Sequence, residues 1–333
     1  IRLFASSTPG EARERIAGCE ILIVNKVRLD RELLTANPAL RLVCLAATGS
    51  DNIDLQAARE LGITVCNIRN YCTASVVQHV FGMLLSLNLR LDEYRRLLVN
   101  GAWQRSPHFC LLDYPVRELA GRSFGIIGYG QLGRAVARVA QAFGMRVLVS
   151  RSLRTNADAG ANDTDDPVLE RRDFPELLAS CDVLSLHCPL TPATRHLINA
   201  ETLQLMRSDA VLINTARGAL VDGPALLAAL RAGRLGAAGI DVLPEEPPAS
   251  GNPLLEARLP NLLVTPHIAW AAREARQRAL DEVVANIRGG GEFGPAWHQA
   301  ALKGKRQNAY DDFIAVAEDL IAQRITKPRR LAI

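Results

Sequence analysis

Long apolar runs are missing from this 333-residue chain. None reaches the roughly 18–20 residues that a membrane span needs. No charged, then apolar, then small-residue leader opens it, so export is not expected and a cytoplasmic location is. The seven cysteines (Cys19, Cys44, Cys66, Cys72, Cys110, Cys181 and Cys188) are odd in number and never spaced C-x-x-C. Several sit within apolar runs such as Val43-Cys44-Leu45, the place of small buried hydrophobes in a reducing compartment rather than of a disulfide framework. The six histidines form no H-E-x-x-H pattern and no Cys/His cluster, so no metal site is expected. Net charge is low as well, +4 and scattered. That tolerates an anionic substrate and is far too weak to imply nucleic acid.

What is present is an ordinary globular balance, with a length that suggests two domains. Short β-branched runs alternate with longer amphipathic ones, the pattern of strand–helix–strand units around a parallel sheet. Ile21–Val24, Leu42–Leu45 and Ile63–Cys66 read as buried strands, with a short helix at Leu55–Leu61 closed by Gly62. One long helix is expected from about Ala74 to Asn100. The stretch Trp103–Arg117, with two prolines and several aromatics, reads as a surface loop. Six further strands are expected at Ser123–Ile127, Arg146–Val149, Val183–Leu186, Ala210–Ile213, Ala238–Val242 and Leu262–Val264. Helical patterns lie between them at Leu132–Phe143, Phe174–Ala179, Ala200–Met206 and Ala225–Ala232, which together match a doubly wound dinucleotide-binding domain. Asn156–Asp166 reads as an exposed loop, and a helix from Ala271 to Ile287 leads away from the sheet.

Gly128-Tyr129-Gly130-Gln131-Leu132-Gly133 fits G-x-G-x-x-G. Alone the pattern is weak, but a strand leads in and an amphipathic helix leads out, as dinucleotide binding requires. Gly128 permits the tight turn, Gly130 lets the backbone approach a pyrophosphate, and Gly133 lets helix and strand pack closely. The helix N-terminus at Gln131 and Leu132 favours the negative charge. At the end of the next strand an NAD-preferring site usually carries Asp or Glu. This chain reads Ser150-Arg151-Ser152-Leu153-Arg154, which suits a 2′-phosphate, so NADP is expected to be preferred over NAD.

Three more segments place polar residues at strand ends, where ligands bind in open α/β sheets. They are Asn214-Thr215-Ala216-Arg217-Gly218, Asp241-Val242-Leu243-Pro244-Glu245-Glu246-Pro247 and Thr265-Pro266-His267-Ile268-Ala269-Trp270. A lone Arg, Glu or His in such a place is often structural. Together they supply what reversible carbonyl reduction needs: an arginine to anchor an acid and polarise its carbonyl, an imidazole to move a proton, and a carboxylate beside it.

These residues, in this order, resemble the D-isomer-specific 2-hydroxyacid dehydrogenase family over about residues 1–287. The likeness includes Ala47-Thr48-Gly49-Ser50-Asp51-Asn52-Ile53-Asp54 and Leu186-His187-Cys188-Pro189-Leu190-Thr191. Tyr71–His79, with Trp103, Ser106 and Phe109, is similar to the glycerate dehydrogenase/hydroxypyruvate reductase branch. The resemblance implies that Arg217 binds the substrate carboxylate and oxo group, that Glu246 rather than Glu245 pairs with the histidine, and that His267 is the acid/base. It implies substrate contacts from the N–H groups around Thr48, Gly49 and Ser50. Around the cofactor it implies His187, Cys188, Pro189, Thr215, Ala216 and His267, with Asp241 facing the nicotinamide carboxamide. His79, His108, His196 and His298 are left as ordinary residues.

The implied fold is two doubly wound parallel-sheet domains, a Rossmann domain inserted into a flavodoxin-like substrate domain. The expected boundaries are 1–90 for the first part of the substrate domain, 91–267 for the dinucleotide-binding domain, 268–287 for a return helix and 288–333 for an anomalous tail. By the same resemblance a strand and helix precede Ile1, so part of the substrate domain is expected to be missing. The implied partners are a small 2-oxo or 2-hydroxy acid and a second copy of the chain in a homodimer, through the long helix, with no nucleic acid and no membrane. A nucleotide-sensing corepressor on the same fold is the alternative. From Arg288 onward, Gly289-Gly290-Gly291-Glu292-Phe293-Gly294-Pro295-Ala296-Trp297-His298 and Tyr310-Asp311-Asp312-Phe313 resemble a stretch of the prolyl oligopeptidase family. No G-x-S-x-G turn follows them, so the tail reads as a graft or a sequence artefact, with a divergent dehydrogenase tail as the alternative.

Overall fold

The computed structural model describes residues 2–151 and 170–289. The tail from 290, the loop at Asn156–Asp166 and the Ser152–Arg154 part of the cofactor motif lie outside the described residues. The chain divides into two units: Thr73–Trp270 forms one, and the residues up to Cys72 with those from Ala271 form the other.

The terminal unit opens with α1 (Pro9–Ile16), β1 (Ile21–Val24), α2 (Arg31–Thr35), β2 (Leu42–Leu45), α3 (Leu55–Glu60) and β3 (Thr64–Asn67). Its three strands are parallel in the order β1-β2-β3. Side chains of Thr8, Asp30 and Asp54 accept from the first-turn amides of the three helices, which fixes where each begins. The central strand β2 is buried along its whole length. On β1, Ile21 and Ile23 are exposed and only Val24 is buried, so the expectation of a fully buried strand fails at this sheet edge.

The other unit begins with α4 (Thr73–Asn88) and α5 (Leu91–Val99), followed by β4 (Ser123–Ile127), α6 (Gln131–Ala142), β5 (Arg146–Ser150), β6 (Glu170–Arg172) and α7 (Phe174–Ser180). Then come β7 (Val183–Leu186), α8 (Ala200–Leu205), β8 (Val211–Asn214), α9 (Gly223–Arg231), β9 (Ala237–Ile240), α10 (Pro253–Glu256) and β10 (Leu262–Val264). Its seven strands are parallel in the order β10-β9-β8-β7-β4-β5-β6. The chain winds outward from β4 in one direction and from β7 in the other, so the crevice between these two neighbours is the switch point where such sheets bind ligands. β6 was not expected, because Glu-Arg-Arg carries no apolar signal.

The single helix expected over Ala74–Asn100 is two. Arg90 adopts φ +54°, a left-handed conformation that ends α4 and starts α5, and an arginine gives no sequence cue for it. The second unit begins at Thr73, so both α4 and α5 belong to it. α4 packs onto the nucleotide-type sheet: Phe81 stacks on Phe124 and Phe143, with ring centroids 5.8 and 5.4 Å away. Gly239 in β9 leaves room for Met83, whose Cβ would sit 3.2 Å from any Cβ added there. After Trp270 the chain enters α11 (Arg273–Gly289), which buries Ala275, Ala279 and Val283 at four-residue spacing in the terminal unit.

Candidate active site

The strand β4 runs straight into the glycine turn. Gly128 has φ +95°, and a Cβ there would lie 2.5 Å from the backbone of His187 and Cys188 at the end of β7. A Cβ on Gly133 would lie 2.2 Å from the Gly128 carbonyl oxygen. Both positions therefore admit no side chain. Gly130 differs: a Cβ there would meet nothing within 4 Å, so this glycine borders open space. No side chain caps α6 at Gly130, so its first-turn amides have no side-chain acceptor from the N-cap. At the end of β8 the buried Thr215 hydroxyl has no hydrogen-bond partner. An open cradle over uncapped amides and an orphaned hydroxyl nearby in the same sheet fit a dinucleotide.

Two ionisable groups that follow β7 beside the turn are held neutral. Burial pushes the His187 imidazole down to about 4, and its Nε2 is 2.9 Å from the Ser185 hydroxyl. Burial pushes the Cys188 thiol up to about 11. At the end of β5, Ser150 is buried and donates to the Arg151 carbonyl at 3.0 Å. The exposed group is the Arg151 guanidinium, whose Nε lies 3.0 Å from the Asp173 carboxylate. Arg171 and Arg172 on β6 pair in register with Val149 and Ser150, adding two cations at this edge that sequence reasoning missed.

The ends of β8, β9 and β10 carry the second constellation. Asn214 is fully buried; its amide donates to the Arg217 carbonyl and accepts from the Ala216 N–H, shaping the loop that presents Arg217. Gly218 brings that loop against Leu243, whose carbonyl carbon would be 2.1 Å from an added Cβ. Glu246 accepts from the Leu243 N–H at 2.8 Å through Oε1, and its Oε2 is 2.5 Å from His267 Nδ1. Glu245 makes no such contact among the described residues. His267 itself has φ +54°, and its N–H donates to the Asp241 carbonyl at 2.7 Å.

The Asp241 side chain, expected to face a nicotinamide carboxamide, is fully buried and turned toward this loop. Its carboxylate accepts from the Thr265 hydroxyl and from the Ile268 and Ala269 amides. Burial alone would raise the Asp241 carboxyl, but hydrogen bonds from His79, Thr265 and the two amides more than offset it and hold it below the usual carboxylate value. His79, left as an ordinary residue in the sequence, belongs to this network. Thr48, Gly49 and Ser50 follow β2 in the terminal unit, where Thr48 accepts from the Asn67 amide at 2.7 Å.

The profile of the family described as "D-isomer specific 2-hydroxyacid dehydrogenase, NAD binding domain" matches residues 81–269. The glycerate dehydrogenase of Methylorubrum extorquens is 43% identical over 304 residues, covering 91% of this chain and 89% of that protein. The chain belongs to the D-isomer-specific 2-hydroxyacid dehydrogenase family. It is an NAD(P)-dependent oxidoreductase on the Rossmann fold that its strand order displays. Among solved structures, an acyclic imino acid reductase in complex with NADPH and D-Arg has a TM-score of 0.75 at 29% identity, covering 87% of this chain and 88% of that one. The D-lactate dehydrogenase of Aquifex aeolicus, complexed with NAD and lactic acid, has a TM-score of 0.72 at 32% identity, covering 84% and 86%. The prolyl oligopeptidase family profile matches residues 268–333, most of which lie outside the described residues. No described helix of this dehydrogenase is long and apolar enough to cross a membrane.

Proposed function

We propose that this dehydrogenase reduces a small 2-oxo acid of the hydroxypyruvate or glyoxylate type to its D-2-hydroxy acid. The observation that carries the reading is the 2.5 Å contact of His267 Nδ1 with Glu246, which leaves Nε2 as the ring's working nitrogen. A nicotinamide cofactor held at the glycine turn would supply the hydride to the oxo carbon. As the hydride arrives, the carbonyl π pair moves onto oxygen, and the proton on His267 Nε2 passes to that oxygen to complete the alcohol. Glu246 fixes the ring so that Nε2 faces the substrate. Arg217 grips the carboxylate and polarises the oxo group. The Methylorubrum relative, named a glycerate dehydrogenase, supports a short hydroxy acid.

The same proposal takes NADPH as the preferred reductant. Gly128, Gly130, Gln131, Leu132 and Gly133 hold the pyrophosphate, while His187–Pro189, Thr215, Ala216 and the Asp241-bound loop with His267 line the nicotinamide end. At the end of β5 the exposed cation is Arg151, so a 2′-phosphate competes with Asp173 for its guanidinium. The exposed apolar side chains of Val99, Phe109 and Leu112 support a homodimer, and the cysteine chemistry supports a cytoplasmic setting.

Turnover of a 2-oxo acid panel with NADH and NADPH tests the reading. Replacing His267 with Ala is expected to cost about 10²–10⁴ in kcat. A near-parental kcat in that variant refutes the mechanism, and cofactor binding without turnover of any 2-oxo acid refutes the activity. The Arg151→Asp variant is expected to lose NADPH use selectively. A parent with higher kcat/KM for NADH than for NADPH sinks the cofactor part alone.

A further inference from the structure

The loop Thr265–Ala269 carries His267 in a left-handed conformation that a β-carbon disfavours, so something must hold it there. Backbone bonds, among them His267 N–H to the Asp241 carbonyl, hold part of it, and side chains from α4 reach both ends of the loop. Ser75 donates to the Ala269 carbonyl at 2.6 Å. His79, one helical turn later on the same face, places Nε2 2.9 Å from the Thr265 hydroxyl and 3.3 Å from Asp241 Oδ1. The proton inventory fixes the direction of these bonds. Thr265 has one hydroxyl proton and gives it to Asp241 Oδ1 at 2.5 Å. Its oxygen must therefore accept from His79, so the His79 ring carries its proton on Nε2.

The Asp241 carboxylate thus sits between two sets of donors. On one side are the Ile268 and Ala269 amides, both 2.9 Å away, that immediately follow His267. On the other are His79 and Thr265. An acceptor this fully buried requires its donors, and losing one leaves the rest free to shift.

We infer that His79 is a positioning residue for the dehydrogenase reaction, acting through Thr265 and Asp241 to hold the loop that aims His267. The inference rests on His267 being the acid/base. His79 touches neither substrate nor cofactor in this account, so its removal should displace the proton donor without emptying the binding sites. Misplacing a reacting group by a fraction of an ångström to an ångström costs up to about 10²-fold in rate.

The test compares His79→Leu, which removes the donor, with His79→Gln, which keeps an N–H near the Nε2 position. In His79→Leu, kcat for 2-oxo acid reduction is expected to fall about 10–100-fold, while NADPH affinity by fluorescence titration and the KM of the oxo acid stay near parental. His79→Gln should recover most of the loss. Combining His79→Leu with Thr265→Val should cost little beyond the larger single loss, because both break the same chain of bonds. Parental kcat in a folded His79→Leu overturns the inference. So does a loss that falls equally on kcat, cofactor affinity and melting temperature with no rescue by Gln, since that marks a general packing role. The His267→Ala variant separates the two readings. If it keeps its kcat, the acid/base assignment fails and this inference with it. If it loses kcat while His79→Leu does not, only the role of His79 fails.

Discussion

The glycine turn and the His267 loop stand at strand ends of the same sheet and are specified in opposite ways. The turn is defined by volume that must be absent: added β-carbons at Gly128 and Gly133 would stand 2.5 and 2.2 Å from neighbouring backbone. The loop is defined by bonds that must be present, reaching it from residues such as Ser75, 194 positions away in sequence. A site built by exclusion is fragile to any added atom. A site built by hydrogen bonds is fragile to the loss of one polar group, and its failure should show in rate before stability.

Adding a methyl group to the turn should give the largest effect. Gly133→Ala sets a β-carbon against the Gly128 carbonyl, backbone against backbone, so neither can rotate away. It should destabilise the nucleotide unit by about 3 kcal/mol and abolish measurable NADPH binding. Gly130→Ala is the control that sharpens this: the space there is open, so melting should change little while cofactor affinity falls. Equal melting temperatures for the two variants would show that exclusion does not define the turn.

Taking a charge from the loop should act mainly on rate. In Glu246→Gln the amide can still accept from the Leu243 N–H but presents an NH₂ group where Oε2 met His267 Nδ1. The expected loss in kcat is about 10–100-fold, with melting and NADPH affinity close to parental. A variant that reduces the oxo acid at the parental rate would remove the contrast between the two regions.

The difference also explains what could be read without a structure. The turn is six contiguous residues whose meaning is local, so strand, glycines and helix could be recognised together. Arg217, Glu246 and His267 stood out in the sequence as polar residues in segments that follow apolar strands, and the structure brings Glu246 and His267 into contact. The partners that hold them were not. Asn214 shapes the Arg217 loop through its amide, but a buried asparagine looks like any strand-end polar residue. His79 sits in an amphipathic helix, where nothing local tells that its ring reaches Thr265. The same limit hid the break at Arg90 and the strand Glu170–Arg172, which forms only because β5 offers it a ladder.

Acid should separate the two regions by the pH at which each gives way. His187, packed against Gly128, is held neutral: its imidazole is pushed down to about 4 from an ordinary 6.5. The unfolded chain binds that proton more readily, so the stabilisation is complete above 6.5 and is lost as pH falls toward 4. Near pH 5 the loss should be about 2 kcal/mol, at about 1.4 kcal/mol for each unit of displaced pKa. Asp241 behaves differently. Its carboxyl is held below the ordinary 3.8, so the loop's contribution is intact above 3.8 and fades only below it. The turn should therefore weaken first on acidification, in a range where the loop is still fully bonded. Urea unfolding at neutral pH and near pH 5, for the parent and a His187→Asn variant, reads this directly. The parent should lose about 2 kcal/mol more than the variant between the two conditions. Parallel losses would mean that His187 charges in the folded state without penalty. The side of the turn formed by β7 would then be wetter than the close approach of Gly128 to His187 and Cys188 implies.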